Sequence, residues 1–256
     1  MIAYLKSLCY DIIIKISSKV KIMKETICTI PINDIWNEKK GCPYCRMYAM
    51  LEEQYAKFVT GSAMMDPETR VQTNEKGFCE RHFRKIAEVG KRLPNALILQ
   101  THLQEIMDNY IPKKTNSKPD KKQLQKLDEM LNTCYICDRI KHDTEHFMRT
   151  VWKEWEQNEE FRKLYREQEF VCLDHYKMVS EMSIKGMSSK HLADFHKDTA
   201  DLAKNYLQTL IDDTTHFCNM FDYRNRDADW GNSKDAIERD LQVLAKIPIE
   251  KETTEE

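Results

Sequence analysis

The sequence predicts an all-α protein of duplicated helical units, each pinned by a CxxC…CxxH metal site. Six glycines and seven prolines are few for 256 residues and leave long stretches unbroken. Apolar residues recur at helical spacing through most of the chain. Two matched sets of ligand residues punctuate it: Cys42-Pro43-Tyr44-Cys45 with Cys79-Glu80-Arg81-His82, and Cys134-Tyr135-Ile136-Cys137 with Cys172-Leu173-Asp174-His175. The second and third cysteines of a set are separated by 33 residues in the first copy and 34 in the second, so the chain carries a duplication with a one-residue length difference.

Taken in order, residues 1–22 are an N-terminal extension, too often broken by Lys and Asp to span a bilayer and without the pattern of a signal peptide. A basic amphipathic helix at a membrane surface is the alternative there, and Met23 is a plausible start. The β-branched run at 26–32 suggests a short extended arm, and Asn33 or Asp34 a cap for a helix carrying Ile35 and Trp36. The first repeat, 23–111, continues with a helix through Met47, Leu51, Tyr55 and Phe58 to about Gly61. Residues 61–77 are its least regular part, a solvated loop. A helix at Cys79–Ala87 follows, then a longer one from about Pro94 through Leu97, Leu103, Ile106 and Tyr110. Residues 112–122, with two prolines and five lysines, are a linker.

The second repeat, 123–211, opens with a helix carrying Leu124, Leu127 and Leu131. A long helical pattern then runs from Cys137 through Ile140, Phe147, Val151, Trp152, Trp155, Phe161, Leu164 and Tyr165. Another starts at Ser188 or Ser189 and passes Leu192, Phe195, Leu202, Tyr206 and Leu210. The tail, 212–256, should stack Tyr223 and Trp230 on the bundle and carry a helix from Lys234 to about Leu244.

Three thiolates and one imidazole are a common tetrahedral set for structural zinc, with no position left for water. The candidate ligands are Cys42, Cys45, Cys79 and His82 for one ion, and Cys134, Cys137, Cys172 and His175 for the other, two zinc ions per chain. Each would contribute about 10–16 kcal/mol of apparent binding energy to folding. A lone CxxC reads as well as two small buried hydrophobes; two matched sets do not. Iron–sulfur ligation is the metallic competitor. Gly41-Cys42-Pro43-Tyr44-Cys45 also resembles a glutaredoxin active site, but that chemistry needs a βαβ setting, and no strand–helix alternation surrounds it. His142 and His146 share a helix face without a third ligand, and His191, His196 and His216 have no ligand spacing.

The stretches MKETICTIPIND, CPYC, AMMDPETRVQTNEKGFCERH, FDYRN and WGNSKDAIERDLQVL resemble a family of uncharacterised bacterial proteins, a domain-of-unknown-function group, over nearly all of 23–245. The resemblance implies a shared fold and Met23 as the usual start; it brings no activity. Relatives sometimes carry the label of transporter substrate-binding protein, which no export signal or two-lobed α/β pattern supports here.

A net charge of −2 gives no basic footprint for nucleic acid, and nine cysteines without a secretion signal point to a reducing, cytoplasmic setting. The function expected is an intracellular zinc-binding helical protein that binds a protein or small-molecule partner. A thiol-based redox regulator is the alternative, on thiolates beside Arg46, Arg81 and Arg84. An enzyme is the third reading, with a polar site from the 61–77 loop and Asp222, Arg224 and Asp227, but no nucleophile–base pair, phosphate loop or open metal site stands out.

Overall fold

The computed structural model describes residues 30–113 and 118–245. Among them are eleven α-helices and no strand, as the all-α expectation required. In chain order these are α1 (Ile30–Asn37), α2 (Pro43–Val59), α3 (Pro67–Lys76), α4 (Glu80–Glu88), α5 (Arg92–Asn109), α6 (Lys121–Leu131), α7 (Tyr135–Gln157), α8 (Glu159–Arg166), α9 (Leu173–Gly186), α10 (Ser189–Asn219) and α11 (Ala236–Ala245). The extension at 1–22, the start of the 26–32 arm, the middle of the linker and the last residues lie outside the described residues.

The helices pack as two units. One gathers the described residues up to Arg46 and those from Met148 onward; the other is Met47–Phe147. The division therefore differs from the successive stretches 23–111 and 123–211, and along the chain the second unit interrupts the first. The boundaries fall inside α2 and α7.

The first unit is organised around an aromatic core. Trp36 is fully buried, edge-on to Tyr44 with centroids 5.4 Å apart, and also meets Phe161 and Tyr165. Tyr165 in turn packs on Phe195, and Phe195 on Trp155. Buried hydroxyls need partners, and here they form a directed chain. Thr199 donates to the Phe195 carbonyl, Tyr165 donates to Thr199 at 2.8 Å, and Tyr44 donates to Tyr165 at 3.0 Å. Ile30, Pro31 and Ile32 are helical rather than an extended arm, because proline is tolerated in a first helical turn, where no amide partner is needed. Asn33 and Asp34 consequently lie within α1 instead of capping it.

The apolar pattern from Cys137 to Tyr165 is two helices rather than one. Asn158 separates α7 from α8, and its side chain accepts hydrogen bonds from the Glu160 and Phe161 amides. That N-cap sets the direction from which Phe161 enters the core. Asn158→Ala should cost about 1 kcal/mol and Asn158→Ser almost nothing, read from denaturant midpoints. In the tail, Trp230 packs on Phe217 and Phe221 as expected of a returning segment, whereas Tyr223 is exposed. α11 starts at Ala236, after a 3₁₀ turn at Gly231–Asp235.

In the second unit, the stretch 61–77 is ordered helix, not loop: a 3₁₀ turn at Ser62–Met65 followed by α3. Asp66 accepts from the Thr69 amide and Pro67 sits at the first helical position, so Asp-Pro-Glu starts a helix here. α3 then packs along α5. The buried side of α5 is Ile98 and His102, and Leu103 faces solvent. His102 Nδ1 lies 2.7 Å from the Asn74 carbonyl, and Arg70 donates to the Leu97 carbonyl.

Candidate metal centres

All four cysteine motifs occupy the same place in a helix. The Cys42, Cys79, Cys134 and Cys172 carbonyls each accept the amide four residues on, which opens α2, α4, α7 and α9 respectively. Each of these cysteines is thus an N-cap residue, and the partner three positions later, Cys45, His82, Cys137 or His175, is at N3. Side chains at N-cap and N3 meet above the first turn, which is why a three-residue spacing supplies two donors to one point. The helix N-terminus also favours thiolate over thiol. Cys79 and Cys172 even share backbone conformation, with φ −71° and −67°.

The eight residues form two groups of four, each containing one CxxC and one CxxH, but the pairing crosses the sequence repeats. Cys42 and Cys45 join Cys172 and His175; Cys79 and His82 join Cys134 and Cys137. The expected sets, Cys42/Cys45/Cys79/His82 and Cys134/Cys137/Cys172/His175, are corrected on this point. The physical reason lies in the segments that lead into the helices. In the first unit, Lys39 pairs with Glu167 at 2.7 Å, the Glu169 amide donates to the Lys39 carbonyl, and the Glu169 carboxylate accepts from the Gly41 amide. Arg46 donates to the Ile35 and Gly41 carbonyls and to Gln168, which donates to the Trp36 carbonyl. These bonds hold the turn before Cys42 against the turn before Cys172. In the second unit the Tyr135 amide donates to the Gly77 carbonyl at 3.0 Å and Thr133 to the Lys76 carbonyl at 2.8 Å, which joins the approaches to Cys134 and Cys79.

Within each group every donor atom lies within 4.8 Å of the others. In the first, Cys45 and Cys172 sulfurs are 3.7 Å apart, and His175 Nδ1 is 3.6, 3.3 and 3.1 Å from Cys42, Cys45 and Cys172. In the second, Cys79 and Cys137 sulfurs are 3.9 Å apart, and His82 Nδ1 is 3.2, 3.2 and 3.4 Å from Cys79, Cys134 and Cys137. A tetrahedral ion with the metal–sulfur and metal–nitrogen bonds of zinc would keep such donors about 3.5–3.8 Å apart. A disulfide would need about 2.05 Å. The donor sets therefore fit one metal ion each.

The electrostatics agree. Burial pushes the Cys42, Cys134 and Cys137 thiols up, so several thiolates in one group need a cation among them. Cys172 is drawn down by hydrogen bonds from Cys42 and Cys45. Burial opposes charge on His175, but hydrogen bonds to Cys172 and Cys45 prevail and hold it at about 9. A metal ion would take the place of that proton.

The second group has an outer partner that the sequence did not suggest. His82 is fully buried, and its Nε2 lies 3.1 Å from Glu52 Oε1, a close electrostatic contact rather than an aligned hydrogen bond. Arg81 grips the same carboxylate with Nε at 2.6 Å and Nη2 at 3.0 Å. Carboxylates behind a ligating histidine fix its ring and raise its basicity. Glu52 reads in sequence as one more acidic residue on a helix; nothing marks it as buried.

The other expected site residues are committed elsewhere. Among the described residues, only the two Cys3His groups bring together three or more Cys, His, Asp or Glu donors. His142 and His146 face each other with ring centroids 4.7 Å apart. His196 Nε2 lies 3.2 Å from the Tyr176 hydroxyl, and His216 Nε2 lies 2.9 Å from the Asp229 carbonyl. Asp222 and Arg224 pair with each other. The basic side chains beside the thiolates are likewise engaged: Arg46 on carbonyls, Arg81 on Glu52, Arg84 on Glu80. No described helix is long and apolar enough to cross a membrane.

A family model, described as a family of unknown function (DUF6062), matches residues 23–251. No curated protein and no solved structure matches the chain.

Proposed function

The chain belongs to the DUF6062 family of unknown function, and from that premise we propose that it is a non-catalytic, zinc-binding interaction module with one structural Cys3His zinc in each unit. The observation that carries this reading is the spacing of the four donors in each group, close to the edges of a tetrahedron around a single ion. An iron–sulfur cluster would have to fit iron and sulfide between its ligands, and donors within 4.8 Å of one another leave room for one ion only. Four protein ligands close the shell, which argues for a structural rather than a catalytic metal. In each unit the ion would hold together helix ends that come from distant parts of the chain, and much of its binding energy would be folding energy. No disulfide joins the seven described cysteines, and thiolate ligation of zinc suits a reducing, cytoplasmic compartment.

One observation favours the redox reading as a second: Cys45 is exposed to solvent. An exposed zinc thiolate is the one an oxidant reaches first. Metal content per chain, measured by mass spectrometry on protein purified under reducing conditions, tests both. Two zinc ions, retained under mild peroxide, are expected of the structural module. Loss of one zinc to peroxide would favour the redox regulator, and protein without metal would overturn both.

A further inference from the structure

Within the first unit, α8 and α10 wall a cleft of about 470 Å³ above Trp155 and Leu202, both buried. One wall carries Arg162 and Arg166, four residues apart and so on one face of α8. The other carries Asp194, Asp198 and Asp201 of α10, at four- and three-residue spacing. Arginine and aspartate thus oppose each other on two successive turns. On the second turn they are joined: Arg166 Nε donates to Asp198 Oδ2 at 2.9 Å, and Trp155 Nε1 donates to the same oxygen at 3.2 Å. On the first turn they are not. Arg162 lies over the Trp155 ring, 5.7 Å from its centroid, and His191 meets that ring at 6.3 Å, so Arg162 stands level with the start of α10. Yet neither Arg162, half-buried, nor Asp194 has a charged partner among the described residues. Lys197 is taken by Asp201 at 2.6 Å. The cleft therefore presents one unspent cation and one unspent anion on opposite walls.

We propose that this cleft binds a free α-amino acid, its carboxylate on Arg162 and its ammonium on Asp194. The proposal rests on the reading of the chain as an interaction module and names a ligand for it, one that uses none of the metal donors. Charge balance selects the ligand class. A plain anion would meet three carboxylates and a plain cation two guanidinium groups, whereas a zwitterion brings the missing partner to each wall at once. The planar guanidinium takes a carboxylate through two parallel hydrogen bonds, and an ammonium gives three donors to the facing carboxylate. The joined Arg166–Asp198 pair, its shared oxygen also held by buried Trp155, fixes the two walls beside the open position. The volume lies in the lower half of the range for ligand clefts, which suits one amino acid better than a peptide. Trp155 and Leu202 are almost wholly covered and leave little apolar surface, which favours a small or polar side chain on the ligand.

Isothermal titration calorimetry of the full chain against each of the protein amino acids in turn, with zinc content measured on the same samples, tests the proposal. Inorganic phosphate and putrescine serve as the plain anion and the plain cation. At least one amino acid with a small or polar side chain is expected to bind saturably, with a dissociation constant below about 1 mM, and phosphate and putrescine are expected not to bind. Arg162→Gln and Asp194→Asn should each weaken that amino acid about tenfold or more, the loss of a charge-assisted contact. Zinc content and helical circular dichroism should not change in either variant. The N-acetylated form of the same amino acid, which has no ammonium, should bind the wild-type chain as weakly as the free form binds Asp194→Asn, a comparison that needs no variant to fold well on the acetylated side. Failure of every amino acid to bind would overturn the proposal. So would binding that both substitutions leave unchanged, or binding of phosphate or putrescine instead. A chain carrying two zinc ions that binds no amino acid would remove this ligand and leave the metal reading standing; one that binds an amino acid without zinc would do the reverse.

Discussion

A Cys79→Ser/Cys134→Ser double variant is expected to keep one zinc per chain, and a Cys42→Ser/Cys79→Ser double variant none. Cys79 and Cys134 serve the same group, so the second substitution falls on a site already broken. Cys42 and Cys79 serve different groups. Pairing in sequence order makes the opposite prediction for each variant, because it places Cys42 with Cys79. Two metal measurements thus decide the topology. The energetic consequence should be large. An apparent binding energy of about 10–16 kcal/mol per zinc matches or exceeds the whole stability of a typical domain. Cys79→Ser alone should therefore leave Met47–Phe147 largely unfolded, seen as protease cleavage within that stretch and loss of helical circular dichroism. Cleavage should be far slower in the other unit, whose Cys42 group is intact. Equal zinc loss in the two double variants would contradict the crossed assignment.

The all-α class and the eight residues that gather into the two Cys3His groups were legible because their signals are local. Helical spacing is read within a few turns, and a CxxC or CxxH pair works through the N-cap and N3 positions of one helix. Which CxxC meets which CxxH is a non-local fact. It depends on Arg46 reaching Gln168 and on the Tyr135 amide reaching Gly77, contacts across 122 and 58 residues that no spacing rule contains. The two motif pairs are chemically interchangeable, so proximity in sequence was the only guide, and it pointed to the wrong partner. The loop expected at 61–77 failed for a different reason. Asp-Pro signals a turn and a helix start equally well, and the choice is made by α5, which offers Leu97 and His102 for α3 to pack against. Glu52 was invisible because burial of a carboxylate beside a histidine and an arginine is a property of the assembled site.

Gly77→Ala should destabilise the second unit by about 2–6 kcal/mol. Gly77 closes α3 with φ 58° and ψ −153°, a region open essentially to glycine alone, and holding another residue there costs about 1–3 kcal/mol. The added Cβ would also stand 2.6 Å from His102 Nε2 and 2.7 Å from its Cε1. The ring cannot easily give way, because His102 is buried and its Nδ1 is held at the Asn74 carbonyl. Overpacking of this kind adds about 1–3 kcal/mol. The strain should reach the metal site, since the Gly77 carbonyl accepts the Tyr135 amide beside Cys134, and Cys79 follows two residues on. One zinc should bind more weakly to chelator challenge while the other is unaffected. Gly41→Ala is the control. Gly41 also has a positive φ, 64°, and precedes Cys42, but its Cβ would meet nothing within 4 Å. Only backbone strain remains, about 1–2 kcal/mol. In a His102→Ala background the Gly77→Ala penalty should shrink toward that same value, because the collision is gone while the strain persists. Equal costs at Gly41 and Gly77, measured by denaturant midpoints, would mean that His102 does not hold its place against α3, and with it the packing of α3 on α5 described above would fall.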